Sequence, residues 1–318
     1  MTQLPTTMTA LRLHEPGGVG GLRLDTVPVP TPGDQEVLVR VVAAAITRDE
    51  LTWPTDRLPA IPSYELAGTV VTADADGLLR SGDEVLGMTP FDRDGVAAEY
   101  AAVPATRLVP RPQSFDWQQS AALALPGLSA LQGLVTHGRL RPGQRVLVHG
   151  GGGVVGGLAV QLARHLGAQV VATASGPRLA LARELGAHEV FDSSGGLDDM
   201  DPVDLVFDTV GGERLALAAE VVRPGGRVVS VSERPPQDAG ADRDIESVYF
   251  VVEPDGDQLA ELVRLADTGA LRVAVADAVP LHEGAAAFAR LDAGAAGKLV
   301  LTVAPKGGEG SPSPGVGR

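Results

Sequence analysis

The chain of 318 residues contains no cysteine, few aromatic side chains and no long hydrophobic run. Without cysteine it forms no disulfides and offers no thiolate, which fits a reducing compartment but does not prove one. The absence of any run of about 18 apolar residues argues against a membrane span, and no signal-peptide pattern opens the chain. We therefore expect a cytoplasmic protein without a membrane partner.

Basic charge is also scarce. The chain has 26 Lys and Arg against 40 Asp and Glu, a net charge of −14, which opposes nonspecific binding to nucleic acid. Hydrophobic residues make up 44% of the chain, and this content and length predict two globular domains. Residues 307–318 are rich in Gly, Pro and Ser and predict a disordered tail.

The most informative segment is Arg145–Ser175. It begins with a short apolar strand, Arg145–His149, and ends with a second strand, Gln169–Thr173, with an amphipathic helix between them. A glycine loop of the form G-x-G-x-x-G separates the first strand from the helix, with Gly151, Gly153 and Gly156 at its fixed positions. Such a loop lets the backbone approach a pyrophosphate, and the helix N-terminus offers it N–H groups. In this context the motif predicts dinucleotide binding rather than an ordinary turn.

The end of the second strand indicates which dinucleotide binds. NAD sites place an acidic residue about 20 positions past the glycines to hold the ribose 2′-OH, whereas this chain has Ser175 and Arg178 there. A guanidinium pairs bidentately with a 2′-phosphate, so NADPH is the predicted cofactor. The alternative for Arg178 is a solvated residue in the first turn of a helix.

Strands and helices alternate as far as residue 233, which predicts a parallel sheet covered on both faces. Helices are expected at Pro177–Leu185 and Glu213–Val222, and RPGG at 223–226 is expected to be a turn. Ligands bind at the carboxyl ends of such strands. We call these ends the rim. It comprises His149–Gly153, Thr173–Arg178, Thr209–Gly212 and Val231–Glu233. Within Thr209–Gly212, Val210 and Gly211 are candidate cofactor contacts.

The remainder of the chain has short strands separated by Pro and Gly, which predict a small, partly open barrel. Strands are expected at Met8–Leu13, Leu22–Val29, Glu36–Ala45 and Glu99–Leu108. A final strand, Lys298–Val303, is expected to return to this barrel. The predicted domains are 1–120 with 252–306, and 121–251.

The order of these segments resembles the medium-chain dehydrogenase/reductase superfamily, in its zinc-independent quinone-oxidoreductase branch. The resemblance covers residues 8–303 and depends on VPVPTPGDQEVLVRVVAAA (27–45), LPAIPSYELAGTVV (58–71), the segment 141–175, DLVFDTVGGERL (204–215), RPGGRVVSVSE (223–233), FVVEPD (250–255) and AGKLVLTV (296–303). It implies an α/β protein in which a GroES-like, partly open β-barrel domain joins a Rossmann domain with a doubly wound parallel sheet. It also implies an active site in the cleft between them, hydride transfer from NADPH to a small-molecule substrate, and a homodimer.

The zinc enzymes of this superfamily hold their metal with Cys and His. This chain has no Cys and scattered His, and Tyr64 in SYELAG stands where they have the histidine of G-H-E-x-x-G. We therefore expect no metal. Without a Lewis acid, alcohol oxidation is disfavoured, and reduction of an activated C=C in an enone, quinone or enoyl ester is favoured.

Two residues are candidates for the catalytic hydrogen-bond or proton donor. Tyr64 is the first, because its phenol can donate; the alternative is a core tyrosine. Thr47 is the second. It replaces the Asn of the family's N-x-x-D pattern, and the resemblance implies a contact with the nicotinamide ribose.

The resemblance also implies further cofactor contacts. Ser129 matches a Thr near the nicotinamide. Phe250 and Val252 match the wall around that ring, or are simply core residues. Lys298, in the terminal G-K, reaches the adenosine phosphates or is solvated.

The glycine loop departs from the family's G-A-A-G-G-V-G. Here it runs from Gly150 to Gly156, with Val154 and Val155 among its glycines. If the position of Val154 serves close approach to the diphosphate, its side chain weakens binding; if it only begins the helix, the change is harmless.

Three functions remain open from the sequence. The first is an NADPH-dependent reductase of a conjugated carbonyl compound. The second is a non-redox biosynthetic enzyme on the same scaffold, such as a cyclase or isomerase, and the third is an NADPH-binding sensor.

Overall fold

The computed structural model describes residues 4–53, 56–73, 77–197, 200–236 and 240–303. Within these ranges the strands form a two-stranded hairpin, a seven-stranded mixed sheet and a six-stranded parallel sheet. The predicted tail at 307–318 lies outside the described residues.

The first part of the chain contributes strands to the hairpin and the mixed sheet. They are β1 (Thr7–Leu13), β2 (Leu22–Pro28), β3 (Glu36–Ile46), β4 (Glu65–Val70), β5 (Glu84–Met88), β6 (Tyr100–Pro104) and β7 (Leu108–Pro110). The single strand predicted over Glu99–Leu108 is therefore two strands, β6 and β7. A 3₁₀ turn at Ala105–Arg107 separates them.

Two short helices connect this part to the parallel sheet. They are α1 (Trp117–Ala121), which begins with a capping box at Asp116, and α2 (Ala124–Leu131), which continues into a π-helical segment at Gln132–His137. One apolar core includes residues of both sheets, and α2 lies within it. The two sheets therefore share a continuous core at this helix.

The middle of the chain forms the parallel sheet. Its elements are β8 (Arg145–His149), α3 (Val154–His165), β9 (Gln169–Ala174), α4 (Arg178–Glu184), β10 (Glu189–Asp192), β11 (Val203–Asp208), α5 (Glu213–Ala216), β12 (Val222–Ser230) and β13 (Glu246–Tyr249). The strand order is β10-β9-β8-β11-β12-β13 with every pair parallel. This is the doubly wound order of Rossmann domains, in which the direction of winding reverses between β8 and β11.

One connection in this sheet differs from expectation. The helix predicted over Glu213–Val222 ends at Ala216, and the RPGG segment is not a separate turn but an irregularity within β12. Pro224 lacks an N–H for the ladder and Gly225 has φ +77°, so the strand accommodates both by a register shift.

The last part of the chain comprises α6 (Gly256–Asp267), β14 (Val275–Pro280), α7 (Gly284–Asp292) and β15 (Lys298–Thr302). Strand β15 pairs antiparallel with β3, and β14 pairs with β15. The predicted return of the final strand is thus confirmed, as is the fold of a GroES-like domain with a Rossmann-like parallel sheet.

Candidate functional site

The predicted rim is confirmed by the register of the parallel sheet. Asp208, at the end of β11, pairs with His149 of β8 and with Ser230 of β12, and His149 pairs with Thr173 of β9. The four rim segments therefore begin at the same edge of the sheet. This edge spans the point where the strand order reverses, which is where doubly wound sheets bind ligands.

The glycine loop is packed too tightly for side chains. A Cβ on Gly156 would lie 2.1 Å from the Gly150 carbonyl oxygen, and one on Gly151 would lie 2.6 Å from Cβ of Ala172. Gly150 itself has φ +80°, and a Cβ there would lie 2.7 Å from Val210. Close packing of the loop against β9 and the 209–212 segment therefore requires these glycines.

Helix α3 begins at this loop and leaves its first amides available. Gly153 is the N-cap and supplies no side-chain hydrogen bond. Val154 is the first helical residue and is half-buried, as is Val155, which favours the interpretation that Val154 only begins the helix. An uncapped N-terminus of a 12-residue helix suits a pyrophosphate.

Arg178 lies beside the same loop. A Cβ on Gly152 would come within 2.6 Å of Cβ of Arg178, so the two backbones are in close contact. Arg178 and Ser175 are both exposed. Within the described part of the chain no hydrogen bond or ion pair engages the Arg178 guanidinium. This free cation beside the loop fits the predicted contact with a 2′-phosphate.

The segment that follows β11 is held by a buried carboxylate. Asp208 is 0% exposed; it accepts hydrogen bonds from the Gly211 N–H at 3.1 Å and from Ser230 Oγ at 2.9 Å. His149 Nδ1 lies 3.4 Å from Asp208 Oδ1. These contacts leave Val210 60% exposed next to the glycine loop. Asp208 was not among the predicted site residues, although an acidic residue at the end of a buried apolar strand is a recognisable signal in the sequence.

The structure places Tyr64 in the core. The residue is 0% exposed, and its hydroxyl accepts a hydrogen bond from Arg57 Nη2 at 3.1 Å. Its ring packs against Trp53 and Phe91 at centroid distances of 5.8 and 5.0 Å. Burial raises the pKa of the phenol, which Arg57 opposes. The alternative of a core tyrosine is the one that the structure supports.

Three of the cofactor contacts implied by the resemblance are also core residues. Ser129 is buried and donates to the Leu125 carbonyl at 2.8 Å, within its own helix. Phe250 and Val252 are buried, and Phe250 stacks on His137. Val251, between them, is 58% exposed. The alternation of an extended segment explains this, and it identifies Val251 as the apolar side chain that faces outward.

A buried group of ionisable residues lies where β3, β4 and β15 meet. We call Thr47, Glu50, Glu65 and Lys298 the carboxylate–lysine cluster. Lys298 is 4% exposed and forms an ion pair with Glu65, so a solvated lysine is wrong, and its ammonium is engaged rather than free for phosphates. Lys298 Nζ also donates to Thr47 Oγ1 at 2.8 Å, which lies 3.4 Å from Glu65 Oε1.

Glu65 and Glu50 hold different parts of the cluster. Glu65 Oε2 accepts the Leu125 N–H at 3.0 Å and so connects the cluster to α2. Glu50 accepts the N–H groups of Thr47 and Ser63, each at 3.0 Å. Burial raises the pKa of Glu65, against the lowering effect of Lys298. Burial also raises the pKa of Glu50 to about 8, with Lys298 opposing the shift and Glu65 adding to it.

We expect Glu50→Gln to flatten the pH dependence of stability. The pKa of Glu50 in the folded protein is about 8 against an ordinary value of 4.5, so the folded state binds the proton more tightly. Its contribution is therefore fully present below the unfolded pKa and is lost as the pH rises through the folded one. Between the two pKa values, this proton makes the free energy of unfolding of the wild type fall by up to about 1.4 kcal/mol per pH unit. Glu50→Gln should remove that fall, and urea unfolding at a series of pH values measures it.

Exposed Glu220→Gln is the matched control, and its pH profile should follow that of the wild type. Parallel profiles for Glu50→Gln and the wild type would contradict the raised pKa.

The described residues do not fit a zinc ion. Among them, no group of three or more His, Cys, Asp or Glu side chains is arranged to hold a metal. Glu50 and Glu65 lie close together, but the cation that they face is the Lys298 ammonium. The residue before Glu65, where the zinc enzymes have a histidine, is Tyr64. The donor set thus lacks the nitrogen and sulfur ligands that zinc prefers.

Comparisons with known proteins place the chain in a family. A family profile described as zinc-binding dehydrogenase matches residues 185–301, and one described as alcohol dehydrogenase GroES-like domain matches residues 33–113. The NADPH-dependent alkenal/one oxidoreductase of Arabidopsis thaliana chloroplasts is 33% identical over 326 residues, covering 95% of this chain and 81% of that protein. The chain belongs to the medium-chain dehydrogenase/reductase superfamily.

Its relatives within the superfamily include quinone oxidoreductases. The mouse (Mus musculus) enzyme is 32% identical over 250 residues, covering 72% of this chain and 74% of that enzyme. The structure of the quinone oxidoreductase from Coxiella burnetii superposes with a TM-score of 0.83 at 26% identity, over 94% of this chain and all of that one. This dehydrogenase/reductase chain is therefore an oxidoreductase of the quinone/alkenal type that uses a nicotinamide cofactor. Among the helices that the structure describes, none has the length and apolar content of a membrane span.

Proposed function

We propose that this protein is a zinc-independent, NADPH-dependent reductase of activated C=C bonds, acting on enones, enoyl compounds or quinones. The observation that supports it most strongly is the free Arg178 guanidinium beside a glycine loop with an uncapped helix. The activities of relatives agree with this class, since the relatives include an alkenal/one oxidoreductase, a 2-methylene-furan-3-one reductase and quinone oxidoreductases.

Different residues would bind the two ends of the cofactor. Gly150 to Gly156 and the first amides of α3 would hold the diphosphate, and Arg178 would hold the 2′-phosphate. The exposed Val210 and Val251 would contact the nicotinamide end. When bound, the reduced nicotinamide supplies a hydride to the β-carbon of the substrate. The protein must then stabilise negative charge on the substrate oxygen and provide a proton.

The experiment that tests the proposal follows oxidation of NADPH by absorbance with 2-cyclohexen-1-one, trans-2-hexenal and 1,2-naphthoquinone. We expect turnover with at least one enone and with the quinone. Calorimetric binding of NADPH with no oxidation by any of the three would overturn it, as would conversion of a probe without consumption of NADPH.

We expect Arg178→Gln to lower selectivity for NADPH. Loss of a charge-assisted hydrogen bond to the 2′-phosphate costs about 1.5–3 kcal/mol, so the Kd for NADPH should rise about 10- to 100-fold while that for NADH stays unchanged. Isothermal calorimetry with both dinucleotides measures this. Arg183→Gln, an exposed residue of the same helix, is the control and should change neither Kd. Equal weakening of both dinucleotides by Arg178→Gln would contradict the assignment.

A further inference from the structure

We propose that the Thr47 hydroxyl is the proton donor to the reduced substrate, and that Lys298, paired with Glu65, supplies and positions that proton. The proposal rests on the reductase function above and names a residue for its unassigned step. It follows from the contacts of the carboxylate–lysine cluster and from its place between the two sheets.

The hydrogen bonds at Thr47 favour donation. Its Oγ1 accepts a hydrogen bond from the Lys298 ammonium at 2.8 Å, which occupies an acceptor site and polarises the O–H bond. The contact from this hydroxyl to Glu65 Oε1 is long, at 3.4 Å, so its hydrogen is weakly held within the cluster. A hydroxyl that accepts a hydrogen bond from a cation is a better acid than one in water, because the nearby positive charge favours loss of its proton.

The exposure of Thr47 distinguishes it from the other candidates. Tyr64 and Ser129 are 0% and 3% exposed, so neither hydroxyl lies near the surface. Thr47 is half-buried, and the next two residues, Arg48 and Asp49, are exposed. It is thus the boundary between the buried cluster and the surface.

The cluster also lies at the junction of the two domains. Glu65 accepts the Leu125 N–H at the start of α2, and α2 packs on α3, the helix that begins at the glycine loop. Thr47 is therefore connected to the dinucleotide-binding sheet through Glu65 and two packed helices, α2 and α3. The resemblance implies a substrate in the cleft between the two domains, and a proton donor for it must lie at their junction.

The β-carbon gains a C–H bond with the electron pair of the hydride that the reduced nicotinamide would supply. The C=C pair becomes a bond between the α-carbon and the carbonyl carbon, and the C=O pair moves to the oxygen, which gives an enolate. The Thr47 O–H bond breaks as its proton forms a bond to the α-carbon, and a Lys298 N–H bond breaks to restore the hydroxyl. Lys298 is then a neutral amine beside Glu65, and it regains its proton from solvent after product release.

Two probes separate proton donation from hydride transfer. The enolate formed from 2-methyl-2-cyclohexen-1-one is a strong carbon base whose protonation creates a stereocentre at the α-carbon. The monoanion formed from 1,2-naphthoquinone is a far weaker base, and water protonates it readily. A lost proton donor therefore affects the first substrate and spares the second.

We expect Thr47→Val to lower kcat for the enone about 100-fold while changing quinone reduction by less than about threefold. The α-carbon of the remaining enone product should lose its single configuration, because water then protonates both faces. Thr47→Ser keeps the hydroxyl and should retain both the rate and the configuration. Lys298→Arg keeps the cation but is a weaker acid; we expect a slower enone reaction at unchanged quinone rate and NADPH affinity.

The outcomes distinguish the two proposals. If the wild type reduces the enone and a folded Thr47→Val protein, with unchanged NADPH affinity, keeps both rate and configuration, Thr47 is not the donor. If Thr47→Val slows both substrates equally, its role is structural, and the donor assignment also fails. If the wild type reduces neither probe, the reductase function itself falls, and the donor assignment with it.

Discussion

Lys298→Met will lower the free energy of unfolding by about 3–5 kcal/mol at neutral pH, the loss typical of breaking a buried ion pair from one side. Glu65 would keep its place in the core, with the exposed fraction of its side chain at 1%, but without the ammonium that compensates its charge. Thr47 Oγ1 would also lose its shortest hydrogen bond. Urea unfolding followed by circular dichroism measures the change.

The pH dependence of this variant identifies the cause. Without Lys298 the already raised pKa of Glu65 rises further, because the cation that lowers it is gone. A raised folded pKa gives stability that is present below the unfolded pKa and lost as the pH rises. The deficit of Lys298→Met should therefore shrink as the pH falls toward the unfolded pKa of glutamate, about 4.3.

A double variant, Glu65→Gln with Lys298→Met, is the control. The Gln amide can accept the Leu125 N–H and donate to Thr47, and no charge is left buried. We expect it to recover at least half of the lost stability. A deficit in Lys298→Met that is independent of pH, or a double variant less stable than either single one, would show that packing rather than charge holds this region.

The dinucleotide site was predictable because its signals are local. The strand, glycine loop and helix between residues 145 and 175 are contiguous, and the period of their apolar residues and the glycine positions identify them. Arg178 lies only three residues after Ser175, at the end of the second strand. Its position close to the glycine loop therefore also follows from the order of the segments along the chain. The structure adds the reasons for individual glycines, such as the 2.1 Å approach at Gly156, which periodicity does not show.

The carboxylate–lysine cluster was not predictable because its members are far apart in sequence. The hydrogen bond from Lys298 to Thr47 spans 251 positions, and each residue alone resembles an ordinary surface residue. Only the antiparallel pairing of β15 with β3 brings them together. The same reason explains why the sequence did not show that the Tyr64 and Ser129 hydroxyls are buried. The Tyr64 hydroxyl is bonded to Arg57, and the Ser129 hydroxyl is bonded to a carbonyl one helical turn earlier. No pattern in the sequence predicts either contact.

Gly156→Ala will weaken binding of NADPH about 10- to 100-fold. A methyl group on Gly156 would lie 2.1 Å from the Gly150 carbonyl oxygen and 2.6 Å from its carbon, and both atoms are backbone. The loop must therefore move away from α3, and overpacking of this kind costs about 1–3 kcal/mol. Since each 1.4 kcal/mol is about tenfold in Kd, calorimetry with NADPH resolves the effect.

Gly157→Ala provides a matched control one residue along the same helix. A Cβ there would lie 3.0 Å from the end of the flexible Leu185 side chain and 3.7 Å from the Gly151 carbonyl oxygen, which is an ordinary van der Waals contact. Alanine also favours a helix by up to about 1 kcal/mol over glycine. This variant should bind NADPH as the wild type does and unfold no more easily. Equal Kd values for Gly156→Ala and Gly157→Ala would mean that the close contact between Gly150 and Gly156 does not shape the diphosphate site, and the cofactor would have to be held elsewhere on the rim.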